Sequence, residues 1–220
     1  MKIEENYSVK DINSLRINQF AKYFCSIETV EQLQEAIEFS KIKKIPLLFI
    51  GEGSNVVFTS DYDGLIIRNN IFGKIEHDEG TVEISSGENW HNFVDWSLSN
   101  ERYGLENLAL IPGTVGASPI QNIGAYGKEV SAFIKEVKSI NTLTTEERVF
   151  SKEECKFGYR SSLFQNKKEY FITSVVFETN SDPCIDISYD SLQKFFRASS
   201  EEIKTLTPKD VFDGVSSLRR

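Results

Sequence analysis

The chain has 220 residues, of which 40% are hydrophobic and 26% are charged, so it can bury one large core or two or three small ones. Its net charge of −8 argues against nucleic-acid binding, because such binding needs a basic surface. It has no apolar run of about 18 residues, and its first residues lack the apolar core of a secretory signal. We therefore expect a cytoplasmic protein that contacts neither a membrane nor nucleic acid.

The first predicted element is a helix over residues 29–40. Its apolar side chains fall on one face, which consists of Leu33, Ala36 and Ile37. Thr29, with Gln32 three residues later, resembles a capping box at the start of this helix. The strands predicted next are LLFI (47–50), VVFTS (56–60), GLIIRN (64–69) and TVEISSG (81–87), with the glycine turn GEGSN between the first two.

The second half of the chain continues this mixture of helices and strands. A helix is predicted over residues 88–100, with four buried side chains: Trp90, Phe93, Val94 and Leu98. Two strands joined by a polar turn are predicted over 134–151, and another strand over 169–180. The last predicted helix begins at Pro208, where Thr207 and Asp210 are spaced for capping. Changes of pattern predict domain boundaries near residues 70 and 205.

The cysteines and histidines predict neither a disulfide framework nor a metal site. Cys25, Cys155 and Cys184 are odd in number and far apart, without the spacing C-x-x-C, so we expect three reduced structural thiols. His77 and His91 have no neighbouring cluster of ligands, and we expect structural or solvent-exposed side chains at both positions.

Residues 111–127, IPGTVGASPIQNIGAYG, hold four of the thirteen glycines. Glycine lets a backbone amide approach a ligand closely and adopt a positive φ, as a phosphate-binding nest of amides requires. The segment is therefore a candidate anion site in an acidic protein. A mobile surface loop without a ligand is the alternative for such a stretch.

The turn GEGSN at residues 51–55 is a second candidate. It does not fit a Rossmann fingerprint, because Val56 stands where the third glycine is needed and a strand is predicted where a helix should begin. It does not fit a Walker loop either, since no lysine follows it. What remains is a turn whose amides and Ser54 hydroxyl can contact phosphate. Two such turns in one chain favour an extended dinucleotide.

Three motifs, IGEGSNVVF, ENLALIPGTVGASPIQNIGAYG and CKFGYRSSLF, resemble those of the UDP-N-acetylenolpyruvoylglucosamine reductases in order and spacing. These are the MurB-type flavoenzymes of peptidoglycan synthesis. DINSLRI near Asn13 also resembles the N-terminal signature of that family, so the resemblance covers essentially the whole chain. It implies an α+β fold of the vanillyl-alcohol-oxidase/PCMH type, in which two α+β subdomains, residues 1–70 and 71–205, clamp FAD between them.

The resemblance also implies which residues bind the cofactor. From the first subdomain these are Gly51, Gly53, Ser54 and Asn55. From the second subdomain they are Ile111, Pro112, Gly113, Thr114, Gly116, Ser118, Gln121, Asn122, Ile123, Gly124, Gly127 and Ile172. On this interpretation the bare α-carbons leave room for the main chain to lie against the flavin and its pyrophosphate.

The implied reaction is the NADPH-dependent reduction, through FAD, of the enolpyruvyl group of a UDP-sugar. Negative charge grows on the substrate carboxylate in an enolate-like transition state, and a fixed arginine would stabilise it. By position in FGYRSS that residue is Arg160, while Tyr159 and Tyr189 are the implied substrate contacts. The only implied partner is this small-molecule UDP-sugar, and we expect the full-length protein to be a monomer.

The resemblance ends at the C-terminus. Family members continue past the point that matches SSLRR into a third domain, which supplies a serine proton donor and an assisting glutamate. Neither has a counterpart in these 220 residues, so the resemblance implies a C-terminally truncated enzyme in which residues 206–220 begin the substrate-binding domain. Two alternatives stay open: another FAD-dependent oxidoreductase on the same scaffold, and a non-catalytic flavin-binding fragment.

Overall fold

The first sheet is built from the N-terminal third of the chain. The computed structural model describes residues 1–77, 80–198 and 206–220. Four strands form this sheet: β1 (Glu4–Ser8), β2 (Phe20–Ile27), β3 (Leu47–Ile50) and β4 (Tyr62–Asn69). Their spatial order is β1-β2-β4-β3, with β1 antiparallel to β2 and with β2, β4 and β3 parallel. The three parallel strands therefore share one carboxyl edge.

Helix α1 (Val30–Lys43) connects β2 with β3 and packs against the first sheet. Thr29 caps its start, because the Thr29 hydroxyl accepts from the Gln32 amide at 3.3 Å. The Gln32 side chain accepts from the Glu28 amide (2.8 Å) and not from that of Thr29, so the predicted capping box is shifted by one residue. The predicted apolar face is confirmed by three buried side chains: Leu33, Ala36 and Ile37.

The strand predicted at residues 56–60 is wrong. Residues 51–61 contain no strand and connect β3 to β4, which lie side by side and parallel. The connection between adjacent parallel strands must return along the sheet before the second strand begins. The apolar run therefore packs as irregular chain, with Phe58 buried beside Ile50 and Val57 62% exposed.

The second sheet is antiparallel throughout. The middle of the chain supplies β5 (Lys74–Glu76), β6 (Thr81–Ser85), the separate hairpin β7 (Gly124–Ala125) with β8 (Lys128–Glu129), β9 (Ile134–Asn141), β10 (Glu147–Ser151) and β11 (Tyr170–Glu178). The sheet has the order β10-β9-β11-β6-β5. The strands predicted from residue 81, over 134–151 and over 169–180 are confirmed.

Three helices contribute to the core of the second sheet: α2 (Trp90–Ser99), α3 (Asp190–Ala198) and α4 (Pro208–Arg219). Helix α2 buries Trp90, Phe93 and Val94 as predicted, whereas Leu98 is only half-buried. Helix α4 begins with the predicted capping box, in which the Thr207 hydroxyl accepts from the Asp210 amide and the Asp210 carboxylate accepts from that of Thr207. Its apolar side chains join the same core as helix α2.

The two sheets meet through apolar side chains. Phe171 on β11 packs against Phe49 on β3 with ring centroids 4.8 Å apart, and Ile140 on β9 joins the apolar cluster of α1. The first sheet ends at Asn69 and the second begins at Lys74. Domain boundaries near residues 70 and 205 stay predictions. Among the described residues, none of the helices has both the length and the apolar character needed to span a bilayer.

Candidate cofactor site

The loop at residues 51–55 leaves the first sheet at the carboxyl edge of its parallel strands, a common position for ligands in open sheets. Gly53 has a φ of +65°, and a Cβ atom there would overlap the backbone oxygen of Ile12. The Ser14 amide donates to the Gly53 oxygen at 3.1 Å, so the N-terminal segment supports this loop. The fold itself therefore requires glycine at position 53.

Four successive amides in this loop, those of residues 52–55, donate to no acceptor within the described ranges of the chain. Gly53 is buried, Glu52 and Ser54 are half-buried, and Asn55 is exposed. Backbone N–H groups that are shielded from water are nearly always paired in folded proteins, so the unpaired amide of buried Gly53 in particular indicates a ligand. One anion can satisfy several adjacent amides without a positive side chain. The loop therefore fits the pyrophosphate of a dinucleotide.

At the centre of the glycine-rich segment 111–127, in contrast, the backbone amides donate to protein acceptors. The Val115 amide donates to the Glu88 oxygen (2.8 Å), and the Gly116 amide donates to the Ser86 oxygen (2.9 Å). The next two amides, at 117 and 118, close turns within the segment. Because these amides already have protein partners, residues 115–118 present no unpaired amides for a ligand. Cofactor binding by the segment as a whole stays a prediction.

Two glycines of the predicted site are small because other parts of the chain pack against them. A Cβ atom on Gly116 would lie 2.5 Å from the Ser86 Cβ, and one on Gly51 would lie 2.8 Å from the Thr114 side chain. Protein atoms therefore occupy the positions where side chains would begin at these two glycines. Contact of Gly51 and Gly116 with a cofactor stays a prediction. The contact between Gly51 and Thr114 also places the loop at 51–55 against the segment at 111–127.

Glu52 links these two regions, and the sequence motifs did not indicate it as a site residue. Its carboxylate accepts from the Gly113 amide at 3.0 Å and from the Asn89 side chain at 2.5 Å. Asn89 also caps helix α2, since its side-chain oxygen accepts from the Asn92 amide (2.8 Å). The signal available in the sequence was a carboxylate between two glycines of a turn predicted to bind an anion.

A cavity of about 280 Å³ opens beside this link. Residues 51–52, 68–70, 87–89 and 114 line it together with Phe72 and Asn92. Glu88, one of the lining residues, pairs with Lys74 at 2.8 Å. Pockets that enclose a whole ligand usually measure about 300–1,000 Å³, so this cavity could hold only part of a dinucleotide.

Arg160 lies against the glycine-rich segment. Its guanidinium donates to the backbone oxygens of Asn122, at 3.4 Å, and of Gly124. A Cβ atom on Gly124 would lie 2.9 Å from Arg160 Nη1, so glycine allows the guanidinium to approach. Arg160 is exposed, and a guanidinium has five N–H groups, of which these contacts use two. The others remain available for an anion.

The two tyrosines of the predicted substrate site lie at the surface. Tyr159 is 85% exposed, and its ring centroid is 5.6 Å from Arg160 Cζ. Tyr189 is 49% exposed and packs edge-on against Tyr126 with ring centroids 5.5 Å apart. Tyr189 lies near the segment at 111–127 because Tyr126 belongs to that segment. Tyr159 lies near it because the neighbouring Arg160 bonds to Asn122 and Gly124.

The other predicted cofactor residues differ in burial. Gly113, Thr114, Ser118, Asn122 and Ile172 are buried, Asn55, Pro112 and Gly127 are exposed, and Ile111, Gln121 and Ile123 are half-buried. Ser118 donates to the Val115 oxygen at 2.8 Å, and the Asn122 side chain bonds within the protein. Ile172 packs in the core of the second sheet. The side chains of these three residues are therefore engaged by protein partners.

Two carboxyls near the segment have shifted pKa values for opposite reasons. Burial raises the pKa of Glu106, which is 5% exposed, although both of its oxygens accept from the Gly104 amide. The Lys128 ammonium, 2.6 Å from Asp186, lowers the pKa of that carboxyl to about 2, and hydrogen bonds from Ser188 contribute. The ion pair between Lys128 on β8 and Asp186 anchors the hairpin β7–β8.

The histidines have structural contacts, as expected. His91 accepts from the Leu110 amide at 3.1 Å through Nδ1, and burial lowers its pKa. His77 lies 3.2 Å from the Glu83 carboxylate. Burial opposes ionisation of Glu83, but hydrogen bonds from Lys138, Ser174 and His77 hold its pKa below the ordinary value.

All three cysteines are free thiols, as predicted. Cys25 and Cys155 are buried, and burial raises the pKa of each to about 12. Cys184 is exposed, so the expectation that it is structural is wrong. Across the ranges that the structure describes, no group of three or more His, Cys, Asp or Glu side chains could hold a metal ion.

Curated relatives match along the chain. UDP-N-acetylenolpyruvoylglucosamine reductase of Flavobacterium johnsoniae is 38% identical over all of this chain and 66% of that protein. The reductase of the same name from Burkholderia multivorans is 39% identical over 94% of this chain and 61% of that protein. The predicted resemblance is confirmed, and the chain spans slightly less than two thirds of the length of these relatives.

Solved structures show the same fold. UDP-N-acetylenolpyruvylglucosamine reductase (MurB) from Thermus caldophilus has a TM-score of 0.74 and 21% identity, over all of this chain and 70% of that one. p-Cresol methylhydroxylase has a TM-score of 0.56 and 15% identity, over 82% of this chain and 39% of that one. The predicted α+β fold of the vanillyl-alcohol-oxidase/PCMH type is therefore confirmed.

One family profile, described as the FAD binding domain, matches residues 21–149. This range begins in β2 and ends in β10, so it includes both the loop at 51–55 and the segment at 111–127. The match covers more than half of the chain and agrees with the curated relatives and with the fold. The chain therefore belongs to the family of FAD-binding domains.

Proposed function

We propose that this chain is the flavin-binding portion of a UDP-N-acetylenolpyruvoylglucosamine reductase, which uses FAD and NADPH to convert the enolpyruvyl UDP-sugar to UDP-N-acetylmuramate. The names of the curated relatives support this reaction. The proposal includes a cytoplasmic location, a role in peptidoglycan synthesis and thus in cell shape and division, and a monomeric full-length protein. The substrate is a small molecule, and no nucleic acid takes part.

The unpaired amides of residues 52–55 are the observation that carries the cofactor assignment. They would hold the FAD pyrophosphate, with the Ser54 hydroxyl beside them. Thr114 would approach from the second subdomain, because it already lies against Gly51. The net charge of −8 is no obstacle, since peptide dipoles bind the anion without lysine or arginine. When bound at these residues, FAD would supply the chemistry of hydride transfer between NADPH and the enolpyruvyl group.

Arg160 would act at the substrate. Its free N–H groups can bind the substrate carboxylate, while the carbonyl oxygens of Asn122 and Gly124 hold the guanidinium in place. A cation fixed before the reaction stabilises negative charge that grows in the transition state. Tyr159 and Tyr189 would contact the UDP-sugar from the exposed surface near the segment.

The chain spans slightly less than two thirds of the length of the curated relatives, so the complete reaction is part of the proposal. We propose that these 220 residues bind FAD and the substrate carboxylate. Two alternatives differ from this proposal in the reaction of the bound flavin. Another flavin-dependent oxidoreductase would not reduce this UDP-sugar, and a non-catalytic flavin-binding module would not accept electrons from NADPH.

Titration with FAD and with riboflavin tests the cofactor assignment. We expect a yellow complex with FAD and much weaker binding of riboflavin, because riboflavin lacks the pyrophosphate. Anaerobic NADPH should then bleach the flavin spectrum, and the enolpyruvyl UDP-sugar should restore it. A chain that cannot be reconstituted with FAD would contradict the proposal. Bleaching without restoration by this sugar would favour the other oxidoreductase, and no bleaching would favour the non-catalytic module.

Replacement of Arg160 tests the substrate assignment. Arg160→Ala should leave FAD binding unchanged and weaken binding of the enolpyruvyl UDP-sugar by about 10–100-fold, the range for a lost charged hydrogen bond. Arg148→Ala is the matched control, because Arg148 is also an exposed arginine that contacts an aromatic ring. Equal affinity in the Arg160→Ala variant and the unchanged chain would refute the role of Arg160.

A further inference from the structure

We propose that Asn122 is a positioning residue, which fixes the turn at residues 158–161 and thereby sets the direction of the Arg160 guanidinium. The sequence motif suggested instead that Asn122 contacts the cofactor. The inference rests on the proposed function for the role of Arg160. The contacts that support it lie within the protein and need no ligand.

The Asn122 side chain is fully engaged by protein partners. It is 0% exposed, and its Nδ2 donates to the Glu129 carboxylate at 2.8 Å and to the Gly158 oxygen at 3.0 Å. Its Oδ1 accepts from the Ser131 amide at 3.0 Å. Because a primary amide has two N–H donors, none remains for a cofactor. The side chain instead joins the hairpin β7–β8 to the turn that carries Arg160.

The same residue also contacts Arg160 through its backbone. The Asn122 carbonyl oxygen accepts from Arg160 Nη1 at 3.4 Å, while its side chain holds Gly158 at the start of the turn. Gly158 and Ser161 exchange amide hydrogen bonds of 3.0 and 3.1 Å, which close the turn between them. One residue therefore restrains both the base of the turn and the guanidinium at its tip.

A second bond makes the turn rigid at its far end. The Ser162 hydroxyl donates to the Ile120 oxygen at 2.6 Å. The stretch 120–124 thus contacts the turn at its beginning, its tip and its end. Since the rotamer freedom of an exposed arginine must be lost when it binds a carboxylate, prior restraint would favour binding.

Backbone conformation explains why asparagine suits position 122. The residue has a φ of 44°, in the left-handed region that asparagine tolerates better than most side chains. Asn122→Asp keeps this tolerance and an oxygen for Ser131. It removes both donors, however, and places a carboxylate beside Glu129. Asn122→Gly also suits the backbone and removes all three side-chain bonds without adding charge.

Limited proteolysis of the native chain tests the restraint directly. Trypsin cuts after arginine, and mass spectrometry can follow the bond between Arg160 and Ser161. We expect Asn122→Asp to speed this cut by about tenfold or more, because a freed turn opens locally without global unfolding. Asn13→Asp is the matched control: Asn13 is 5% exposed and likewise donates twice and accepts once, to residues 9 and 17. It should leave this cut unchanged.

A binding measurement separates positioning from mere stability. The chain should bind the enolpyruvyl UDP-sugar more tightly than UDP-N-acetylglucosamine, which lacks the carboxylate, and Asn122→Asp should reduce this preference by about tenfold. Asn13→Asp should preserve it. If Asn122→Asp does not fold, Asn122→Gly is measured in its place. A wild-type rate of cutting at Arg160 in the folded variant would overturn the proposal. If the unchanged chain binds the two UDP-sugars equally well, the proposed function is refuted. The rate of cutting at Arg160 still tests whether Asn122 restrains the turn.

Discussion

The loop at residues 51–55 and the segment at residues 111–127 are both rich in glycine, but their amides differ. In the loop, the amides of residues 52–55 have no acceptor among the described residues. In the segment, the amides of residues 115–118 all donate to backbone oxygens of the protein. The loop is therefore suited to bind an anion, whereas the centre of the segment is a folded support.

This difference shows that glycine content has two separable causes. A glycine can free an amide for a ligand, or it can allow two parts of the chain to approach closely. Gly116 clearly belongs to the second class, because Ser86 fills the space beside it. Unpaired amides, rather than glycine itself, therefore identify the candidate anion site.

The largest expected effect comes from adding a methyl group in each region. Gly53→Ala should lower the free energy of unfolding by about 3 kcal/mol or more. The backbone of residue 53 is left-handed, and a Cβ atom there would overlap the backbone oxygen of Ile12. Gly127→Ala should cost only about 1 kcal/mol: its φ is +83°, but no atom lies within 4 Å of a Cβ there. Urea denaturation measures both values, and equal losses would contradict this contrast.

Removal of the Glu52 carboxylate should uncouple the two regions. Glu52→Ala leaves the Gly113 amide and the Asn89 side chain without their acceptor, so we expect a loss of about 2 kcal/mol in the free energy of unfolding. FAD affinity should fall as well, since the loop and the segment are no longer held together. Glu52→Gln keeps one acceptor and should lose less. Unchanged FAD affinity in Glu52→Ala would sink this interpretation.

The contribution of the ion pair Lys128–Asp186 to the free energy of unfolding should depend on pH. The pKa of Asp186 falls from 3.8 in the unfolded chain to about 2 in the folded one, so its stabilisation is complete above pH 3.8 and is lost as the pH falls through about 2. Asp186→Asn should therefore cost about 2 kcal/mol at pH 7 and progressively less below pH 4. Asp190→Asn removes an exposed pair of equal length, 2.6 Å, and should cost under about 1 kcal/mol. Parallel curves for Asp186→Asn and the unchanged chain from pH 7 to 2 would exclude this linkage.

The smallest expected effect is that of a hydroxyl in the loop. Ser54→Ala should weaken FAD binding by only about threefold, because the amides of residues 52–55 stay in place. Fluorescence titration of the flavin gives the affinity, with Ser60→Ala as the control in the same connection beyond the loop. A loss of about 100-fold would mean that the side chain, and not the backbone, holds the anion.

Local patterns predicted much of the fold correctly. The capping residues Thr29 and Thr207 marked the starts of two helices, and the apolar run at residues 47–50 marked a buried strand. The run VVF at 56–58 misled, because β propensity does not reveal whether a sheet edge is available. Strands β1 and β2 and helix α3 were not predicted, although the residues of α3 form a strongly amphipathic pattern.

The candidate site was predicted less completely. The motifs indicated the loop at 51–55 and Arg160, and the FAD binding domain match agrees with the cofactor. Glu52 was missed, because a carboxylate in a candidate anion site is explained only by its partners Asn89 and Gly113. The site residues as a set stay a prediction, which the experiments above can test.

The sequence by itself determined the helix starts, the buried strands, the glycine-rich turns and the family resemblance, because these depend on residue order and short-range geometry. Only the tertiary structure decided which amides stay unpaired and which side chains hold the two regions together. Hydrogen bonds such as that from Asn122 to Gly158 join residues far apart in the chain. Their existence depends on how the two sheets and their connections pack, which no local pattern encodes.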